Sequence, residues 1–290
     1  MNSRSAGERP AGRLLLVFAH PDDEAFFAAG TVAKHVAAGG EAVLACATRG
    51  EQGSQPKVPV CPQPELGRVR ARELADSCRE MGVKGLEFLG YEDGRLGEAD
   101  VAEATERIAR LIEQVRPDAV VSFGPDGIYG HPDHVAASVL TTAAFDSVFG
   151  DAAGAKTATA PAPRGPRLWY VALPSVFWRY RPTEWAVSAD PAAGASPEDL
   201  LRAGRHPVVE GVPEAVIDIG AFVERKIRAL LCHRSQRHNV ERAFGSLVDL
   251  DSAGLASRDA TALLGREYFS LARGPRPKFI LVGSLLDPGT

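Results

Sequence analysis

Two short segments rich in histidine and aspartate carry the clearest chemical signal in the sequence. The first, FAHPDDEAFF at 18–27, places one histidine and three consecutive acids directly after an apolar run. The second, YGHPDHVAA at 129–137, repeats the His-Pro-Asp triplet and adds another histidine. A helix cap needs only one acid, and three neighbouring carboxylates repel one another unless a cation lies between them. The two segments together therefore predict one shared metal site.

The residue types and spacing indicate a catalytic rather than a structural metal. His20 and Asp23 lie three apart in a predicted tight turn, and so do His131 and His134. One imidazole and one carboxylate from the first segment, with either imidazole of the second, make a three-ligand site that leaves a fourth position for water. Such a water ionises near neutrality and attacks a carbonyl carbon. Asp22, a neighbouring carboxylate outside the ligand set, is the expected general base.

Helix capping is the alternative interpretation of the same acids. Asp22 or Asp23 could cap the helix that starts near Glu24, whose charge would favour the positive end of the helix dipole. Asp133 could cap the second helix in the same way. Because both segments follow predicted strands, the shared metal site is the better interpretation. Zinc, one ion per chain, is the expected cofactor, although iron(II) or cobalt fits similar ligands.

The elements that position these segments alternate between strand-like and helix-like through the first 150 residues. RLLLVFAH is typical of a strand buried on both faces, and EAFFAAGTVAKHVAAGG follows with helical spacing until its paired glycines. Three more strand–helix pairs follow: EAVLACAT with GRVRARELADSCREMGV, LEFLG with ADVAEATERIARLIEQVRP, and DAVVSFG with HPDHVAASVLTTAAFDSVF. This alternation predicts an α/β fold with a mostly parallel sheet flanked by helices on both faces. Both candidate segments then lie at carboxyl ends of strands, where such sheets bind ligands.

The C-terminal half is predicted to be more irregular. RLWYVALPSVFW indicates a strand, EAVIDIGAFVERKIRALLCH a strand followed by a helix, and PKFILVGSLL a segment near the end. We expect a single α/β domain spanning 1–290, with residues 1–12 disordered. The Ala/Pro-rich stretches at 150–166 and 185–206 are predicted loop insertions.

Composition excludes several classes of function. The 33 basic and 37 acidic residues give a net charge of −4, which argues against nonspecific binding to nucleic acid or anionic membranes. The apolar run near the N-terminus is too short for a secretory signal or a membrane span. We therefore expect a cytoplasmic protein with a small-molecule substrate and no nucleic-acid or membrane partner. A homo-oligomer remains open.

The AHPDDE string after the first strand, with HPDH after a later one, resembles the PIG-L/LmbE-like zinc N-deacetylases. Members of that family remove acetyl groups from N-acetylglucosamine units. The resemblance covers most of the chain and is strongest through residue 150. It implies a Rossmann-like fold with zinc held by His20, Asp23 and His134, and it assigns Asp22 as the general base.

The same resemblance gives roles to the rest of the second segment. His131 would stabilise the tetrahedral intermediate or donate a proton, and Asp133 would orient His131 and tune its charge. Tyr129 matches a tyrosine that hydrogen-bonds the oxyanion in some members. The alternative for Tyr129 is a loop aromatic that packs on the sheet.

Four further residues are candidates for substrate binding, and each has a plain alternative. Arg49 and Glu51 in TRGEQG could face substrate or be solvated loop charges. Asp93 in YEDGRL could accept hydrogen bonds from sugar hydroxyls or simply form a turn. His233 in CHRSQ, supported by Gln236, could line the pocket or lie at a helix end.

The leading functional hypothesis is a zinc-dependent amide hydrolase that deacetylates the N-acetylglucosaminyl unit of a small glycoside. The alternative is a zinc amidase acting on a thiol-conjugate or on a longer N-acyl group of a natural product. A nucleotide-binding Rossmann module is disfavoured, because the first turn carries three acids where a pyrophosphate would require glycines and backbone N–H groups.

Overall fold

The computed structural model describes residues 12–150, 165–173, 213–244, 248–249, 254–255, 264–276 and 281–286. The predicted disorder at 1–12 falls outside these residues except for Gly12. The predicted insertion at 150–166 falls outside them except at its two ends, and the insertion at 185–206 falls outside them entirely.

Strands and helices alternate along the described chain. The strands are β1 Arg13–Phe18, β2 Glu41–Cys46, β3 Gly85–Phe88, β4 Ala119–Phe123, β5 Arg167–Ala172, β6 Ala215–Asp218, β7 Val248–Asp249, β8 Gly254–Leu255, β9 Arg266–Arg273 and β10 Leu281–Val282. The α-helices are α1 Asp23–Phe27, α2 Ala29–Ala37, α3 Leu66–Met81, α4 Val101–Val115, α5 Gly127–Gly130, α6 Pro132–Phe149, α7 Val223–Cys232 and α8 Arg237–Phe244. None of the described helices is both long enough and apolar enough to span a membrane.

The main sheet of the described residues has eight strands in the order β10-β6-β9-β5-β4-β1-β2-β3. All of its strand pairs are parallel except those of β9 with β5 and β6. In the β3-β2-β1-β4-β5 portion, the chain adds strands outward on one side of β1 and then, from β4 onward, on the other side. This change in strand order between β1 and β4 is typical of a doubly wound Rossmann-like sheet. The predicted α/β class is therefore confirmed. Strand β9, whose sequence is REYFSLAR, was not predicted.

Helices cover both faces of this sheet. Helices α4 and α6 pack together on one side, and α7 packs against α2 and α3 on the other. Strands β1 and β4 are therefore buried almost throughout, and Phe18, Phe123 and Trp169 are fully buried in the core. This layering explains why both strands are continuous apolar runs rather than alternating ones.

The helix predicted across 24–40 is broken in the structure into α1 and α2. Ala28, between them, has a non-helical backbone with φ −141°. The carboxylate of Glu267 accepts hydrogen bonds from the N–H groups of Gly30 and Thr31 at 3.0 and 2.7 Å, and Lys226 pairs with it at 2.8 Å. A buried carboxylate from β9 thus satisfies the free amides at the start of α2, so the chain can begin a new helix there.

Candidate active site

Sheet topology brings the two His-Pro-Asp segments together. Strands β1 and β4 are parallel neighbours, with Leu14 opposite Ala119 and Leu16 opposite Val121. Both segments therefore leave the same edge of the sheet, although His20 and His134 are 114 residues apart in sequence. This edge is also the point where strand order reverses, the usual place for a ligand crevice in an open α/β sheet.

Three potential ligands converge at this edge. The Nδ1 atom of His20 lies 3.2 Å from Nε2 of His134. One carboxylate oxygen of Asp23 lies 3.3 Å from that Nε2, and the other lies 3.7 Å from that Nδ1. Among the described residues, the sets of three whose single ligand atoms all lie within 4.8 Å of one another are His20 with His131 and His134, and His20 with Asp93 and Asp133. Two imidazoles and the Asp23 carboxylate nevertheless have the donor chemistry of a three-ligand zinc site.

Hydrogen bonds on the far side of each ring orient the two histidines for metal binding. Nδ1 of His134 lies 3.2 Å from the carbonyl of Gly127, so we assign its proton there and leave Nε2 with a lone pair. Nε2 of His20 faces two carboxylates, so Nδ1 is the ring nitrogen that faces the site. Burial raises the pKa of Asp23, but His134 and His20 outweigh it and lower that pKa to about 2. Asp23 is therefore ionised, as a metal ligand must be.

His131 differs from His134 in its tautomer. The ligand atoms of His20, His131 and His134 all lie within 4.8 Å of one another, so distance alone does not exclude His131 from the metal. However, Nδ1 of His131 accepts the backbone N–H of Asp133 at 3.2 Å, which places a neutral ring's proton on Nε2. Burial, and then the charges of His134 and His20, lower the pKa of His131 to about 3. The ring is a neutral hydrogen-bond donor, which suits a developing oxyanion better than a metal.

Asp133 contacts a different histidine from the one predicted. Its fully buried carboxylate lies 3.1 Å from Nε2 of His20 and accepts the N–H groups of Gly94 and Leu96 at 2.7 and 3.1 Å. Only its backbone N–H reaches His131. The hydrogen bonds of this carboxylate therefore go to His20 and the loop after β3 rather than to the His131 ring. Its charge still acts on His131, whose pKa it raises against burial, as predicted. A carboxylate behind an imidazole is the pattern common at metal sites.

Asp93 also lies behind His20 rather than on a surface open to sugar. One of its carboxylate oxygens is 3.1 Å from Nε2 of His20, and the other accepts the N–H of Gln52 at 2.8 Å. Burial lowers the pKa of His20, but Asp133 and Asp93 outweigh it and raise that pKa to about 10. Asp93 therefore contacts His20 and the neighbouring loop, and its predicted sugar contact stays a prediction.

Asp22 has a strained backbone and a carboxylate poised near neutrality. Its φ of 119° lies in the left-handed region that non-glycine residues rarely adopt. Burial raises its pKa to about 6, and the nearby Arg70 guanidinium, 3.4 Å from its carboxylate, opposes that rise. The side chain makes no capping hydrogen bond to α1, so capping does not explain this acid. A carboxylate with this pKa can accept a proton at neutral pH.

Arg70, on α3, was not among the predicted site residues. It is buried and donates to the carbonyls of Pro21 and Gly50 as well as approaching Asp22. Gly50 has φ +64°, and a Cβ there would collide with this guanidinium. The signal in the sequence was a charged residue on the apolar face of α3, four positions after the buried Leu66.

Glu24 and His233 form a buried pair beneath Asp22. One carboxylate oxygen of Glu24 accepts from Nε2 of His233 at 2.7 Å and from the Ser77 hydroxyl at 2.5 Å. The other oxygen accepts the N–H of Asp22 at 3.0 Å. His233 is 0% exposed, so it does not line a pocket. The predicted substrate contact is corrected to a contact with Glu24, whose own part the sequence had suggested only as a helix start.

The remaining predicted residues lie around this centre. Arg49 is exposed, with its guanidinium 4.4 Å from the centre of the Phe88 ring. Glu51 accepts the N–H groups of Asp93 and Arg49 at 2.9 and 3.2 Å, so it joins the loops after β2 and β3. Of the two, Arg49 keeps a side chain open to solvent at this edge.

Tyr129 packs edge-on against both histidines of the second segment. Its ring centre lies 5.2 Å from that of His134 and 6.0 Å from that of His131. Burial, and then the charges of Asp23 and Asp22, raise the pKa of the phenol well above its usual value. The hydroxyl therefore stays protonated and is a hydrogen-bond donor.

Comparison with known proteins places this site in a family. The model of the PIG-L family, described as GlcNAc-PI de-N-acetylase, matches residues 15–145. A relative from Streptomyces scabiei (strain 87.22), 1D-myo-inositol 2-acetamido-2-deoxy-α-D-glucopyranoside deacetylase, is 32% identical over 94% of this chain and 90% of its own length. The chain belongs to the PIG-L family. Recognition of the family from its two motifs is confirmed, and with it the prediction of a deacetylase-type, metal-dependent enzyme.

Solved structures support the fold of this PIG-L family member. The 4-carboxy-2-hydroxymuconate hydratase GalB of Pseudomonas putida KT2440 superposes with a TM-score of 0.63, at 19% identity, over 93% of this chain and all of that chain. N,N′-diacetylchitobiose deacetylase of Pyrococcus horikoshii gives 0.51, also at 19% identity, over 90% of this chain and 83% of that one. Both likenesses concern the fold alone. One of these neighbours is a hydratase, so activity must be argued from the site and the family.

Proposed function

We propose that this chain is a zinc-dependent N-deacetylase that converts the N-acetylglucosaminyl unit of a small glycoside into its free amine and acetate. The observation that carries the proposal is the convergence of His20, Asp23 and His134, whose nearest side-chain atoms are 3.2–3.7 Å apart in each pair. Two imidazoles and one carboxylate form a donor set typical of catalytic zinc. The glycoside named for the Streptomyces relative is the first substrate to test.

The side chains around the proposed ligands each serve a different step of amide hydrolysis. A divalent metal at this site supplies a Lewis acid that favours ionisation of water and polarisation of the acetyl carbonyl. Asp22 accepts the proton that the attacking water loses, since burial raises its pKa to about 6. Water adds to the carbonyl carbon, the C–N bond breaks, and the departing nitrogen takes up a proton.

Two donors lie beside the proposed ligands and can stabilise the charge that develops on the acetyl oxygen. His131 presents an Nε2–H group, because its Nδ1 is occupied by the backbone N–H of Asp133. Tyr129 presents a protonated phenol whose ring contacts the same histidines. Loss of one such donor costs about 100- to 1000-fold in rate. Asp22, protonated when the water attacks, can return that proton to the departing nitrogen.

Acetate release from zinc-loaded protein tests this proposal. With 1D-myo-inositol 2-acetamido-2-deoxy-α-D-glucopyranoside, we expect equal amounts of acetate and free amine. We expect Asp22→Asn to keep its zinc and lower kcat about 100- to 10,000-fold, the usual contribution of a general base. Asp118→Asn is the matched control, since Asp118 is exposed and its carboxylate bonds only the N–H of Arg13 among the described side-chain hydrogen bonds.

Two results would count against this function. The first is wild-type turnover by zinc-loaded Asp22→Asn, which would remove the assigned base. The second is absence of acetate together with amine release from a longer N-acyl analogue. That pattern would favour the amidase alternative.

A further inference from the structure

The buried carboxylate of Glu24 joins three parts of the chain at one point. It accepts the N–H of Asp22 from its own turn, the hydroxyl of Ser77 from α3 and Nε2 of His233 from the end of α7. Glu24, Ser77 and His233 are at most 1% exposed. A buried carboxylate remains in place only when its oxygens are hydrogen-bonded, as these are.

The backbone that this carboxylate holds is the strained one of the proposed base. Asp22 has φ 119°, a conformation that persists only where the surroundings impose it. Arg70 approaches the Asp22 side chain at 3.4 Å, whereas Glu24 fixes its amide at 3.0 Å. The Asp22 carbonyl also accepts the N–H groups of Ala25 and Phe26 at 2.9 and 3.1 Å. Glu24 is the side chain that holds the backbone N–H of Asp22.

The segment that carries His233 is itself firmly attached to neighbouring elements. Ser235 donates its N–H and its hydroxyl to the carboxylate of Glu73 on α3, at 2.9 and 2.6 Å. The side-chain amide of Gln236 donates to the carbonyl of Ser54 at 3.0 Å. These hydrogen bonds fix the position of segment 233–236. His233 is therefore held in place and in turn holds Glu24.

We propose that Glu24 and His233 form a positioning pair that holds the Asp22 backbone in its left-handed conformation and so aims the Asp22 carboxylate at the reacting water. This inference rests on the proposed function for its kinetic consequence. It gives the pair no contact with substrate or metal, and it predicts an effect on kcat that passes entirely through Asp22.

A double-mutant cycle with Asp22 tests the proposal. We expect Glu24→Ala to lower kcat about 100-fold, the cost of displacing a catalytic group by about 1 Å. We expect His233→Ala to lower it about tenfold, because Glu24 keeps its other two hydrogen bonds. KM should change less than about twofold, and zinc content should stay at one per chain. The reason is that the pair contacts neither substrate nor metal, so ground-state binding is unchanged. In the Asp22→Asn background, neither substitution should lower kcat further by more than about twofold.

His35→Ala is the matched control, since His35 is also a buried histidine but bonds the carbonyl of Gly12 at the other end of β1. It should lower Tm while leaving kcat of the folded, zinc-loaded protein unchanged. If Glu24→Ala does not fold, the His233→Ala cycle decides. The proposal would be overturned if the effects on kcat were fully additive with that of Asp22→Asn. It would also be overturned if folded Glu24→Ala kept wild-type kcat, or if His233→Ala did so where Glu24→Ala does not fold.

A crystal structure of the Glu24→Ala variant, or of His233→Ala if the former does not fold, provides a readout that does not depend on the substrate. We expect Asp22 to leave the left-handed region and its carboxylate to move away from Arg70. A φ that stays near 119° would refute the positioning role even if deacetylation were observed. A different result would refute only the proposed function: the wild-type protein releases no acetate, but the Asp22 backbone leaves the left-handed region in the variant. The positioning pair would then still hold.

Discussion

Replacement of Asp133 by asparagine separates two interpretations of the second motif. The buried carboxylate of Asp133 lies 3.1 Å from Nε2 of His20 and accepts two backbone N–H groups. Asparagine keeps an oxygen for those amides but removes the negative charge facing the ring. Loss of such an outer partner weakens metal binding about 10- to 100-fold. Because Asp93 lies 3.1 Å from the same Nε2, we expect the lower end, about tenfold or 1.4 kcal/mol.

Competition with a chromophoric chelator measures this change as a zinc dissociation constant. Asp93→Asn is the matched variant, since its carboxylate approaches the same nitrogen at the same distance. We expect about tenfold weaker binding from each substitution, and more than the product of the two from the double variant, because the remaining carboxylate no longer compensates. The kcat of zinc-saturated Asp133→Asn should stay near wild type, since asparagine retains the backbone N–H that orients His131.

The opposite pattern would refute this reasoning. An unchanged zinc dissociation constant with a kcat lowered at saturating zinc would mean that the Asp133 carboxylate acts on His131. That is what the motif alone suggested. The assay therefore decides between the contact in the structure and the role inferred from sequence resemblance.

Two further predictions concern the loop after β2 and the acid sensitivity of metal binding. Gly50→Ala should lower Tm and reduce kcat at least about tenfold, because a Cβ there displaces Arg70 from Asp22. Gly39→Ala, at φ +91° with nothing within 4 Å of the added Cβ, should lower Tm alone, and equal kcat losses in both variants would contradict the argument. Carboxylates that outweigh burial raise the pKa of His20 to about 10. The proton that metal must displace is therefore bound at neutral pH, and zinc affinity should rise about tenfold per pH unit between about pH 6 and 8. Titration calorimetry in buffers of different ionisation enthalpy checks this, and an affinity independent of pH would exclude the proton competition.

The sequence was sufficient for the centre of the site because its proposed ligands and base lie within two short segments. His20, Asp22 and Asp23 follow one strand, and His134 follows another, so strand-end placement was enough to predict convergence. The pairing of β1 with β4 brings the two segments together. This pairing depends on long-range packing, so no short stretch of the sequence predicted it. The same is true of β9, an antiparallel strand inserted between β5 and β6.

The supports of the site were harder to predict because they are charged residues on faces that otherwise read as core. Arg70 and Glu73 lie among apolar positions of α3, where a helical pattern assigns them no purpose. Each is instead buried against a loop, Arg70 on the carbonyls of Pro21 and Gly50 and Glu73 on Ser235. A charged residue at a core position of a helix beside a strand end is therefore a usable signal of a supported site.

Polar residues at strand ends have two possible partners, substrate and backbone, and the structure shows the backbone partners of these residues. Glu51 and Asp93 exchange hydrogen bonds with backbone N–H groups across two loops, at 2.9 and 2.8 Å. Loops that leave a parallel sheet carry amides that no strand satisfies, and nearby carboxylates meet that need first. Because each carboxylate oxygen can accept a second hydrogen bond, the predicted sugar contacts of these residues stay predictions. The guanidinium of Arg49 lies over the Phe88 ring, is open to solvent and has no such backbone contact among the described residues. Arg49 is therefore the stronger candidate for binding the glycoside.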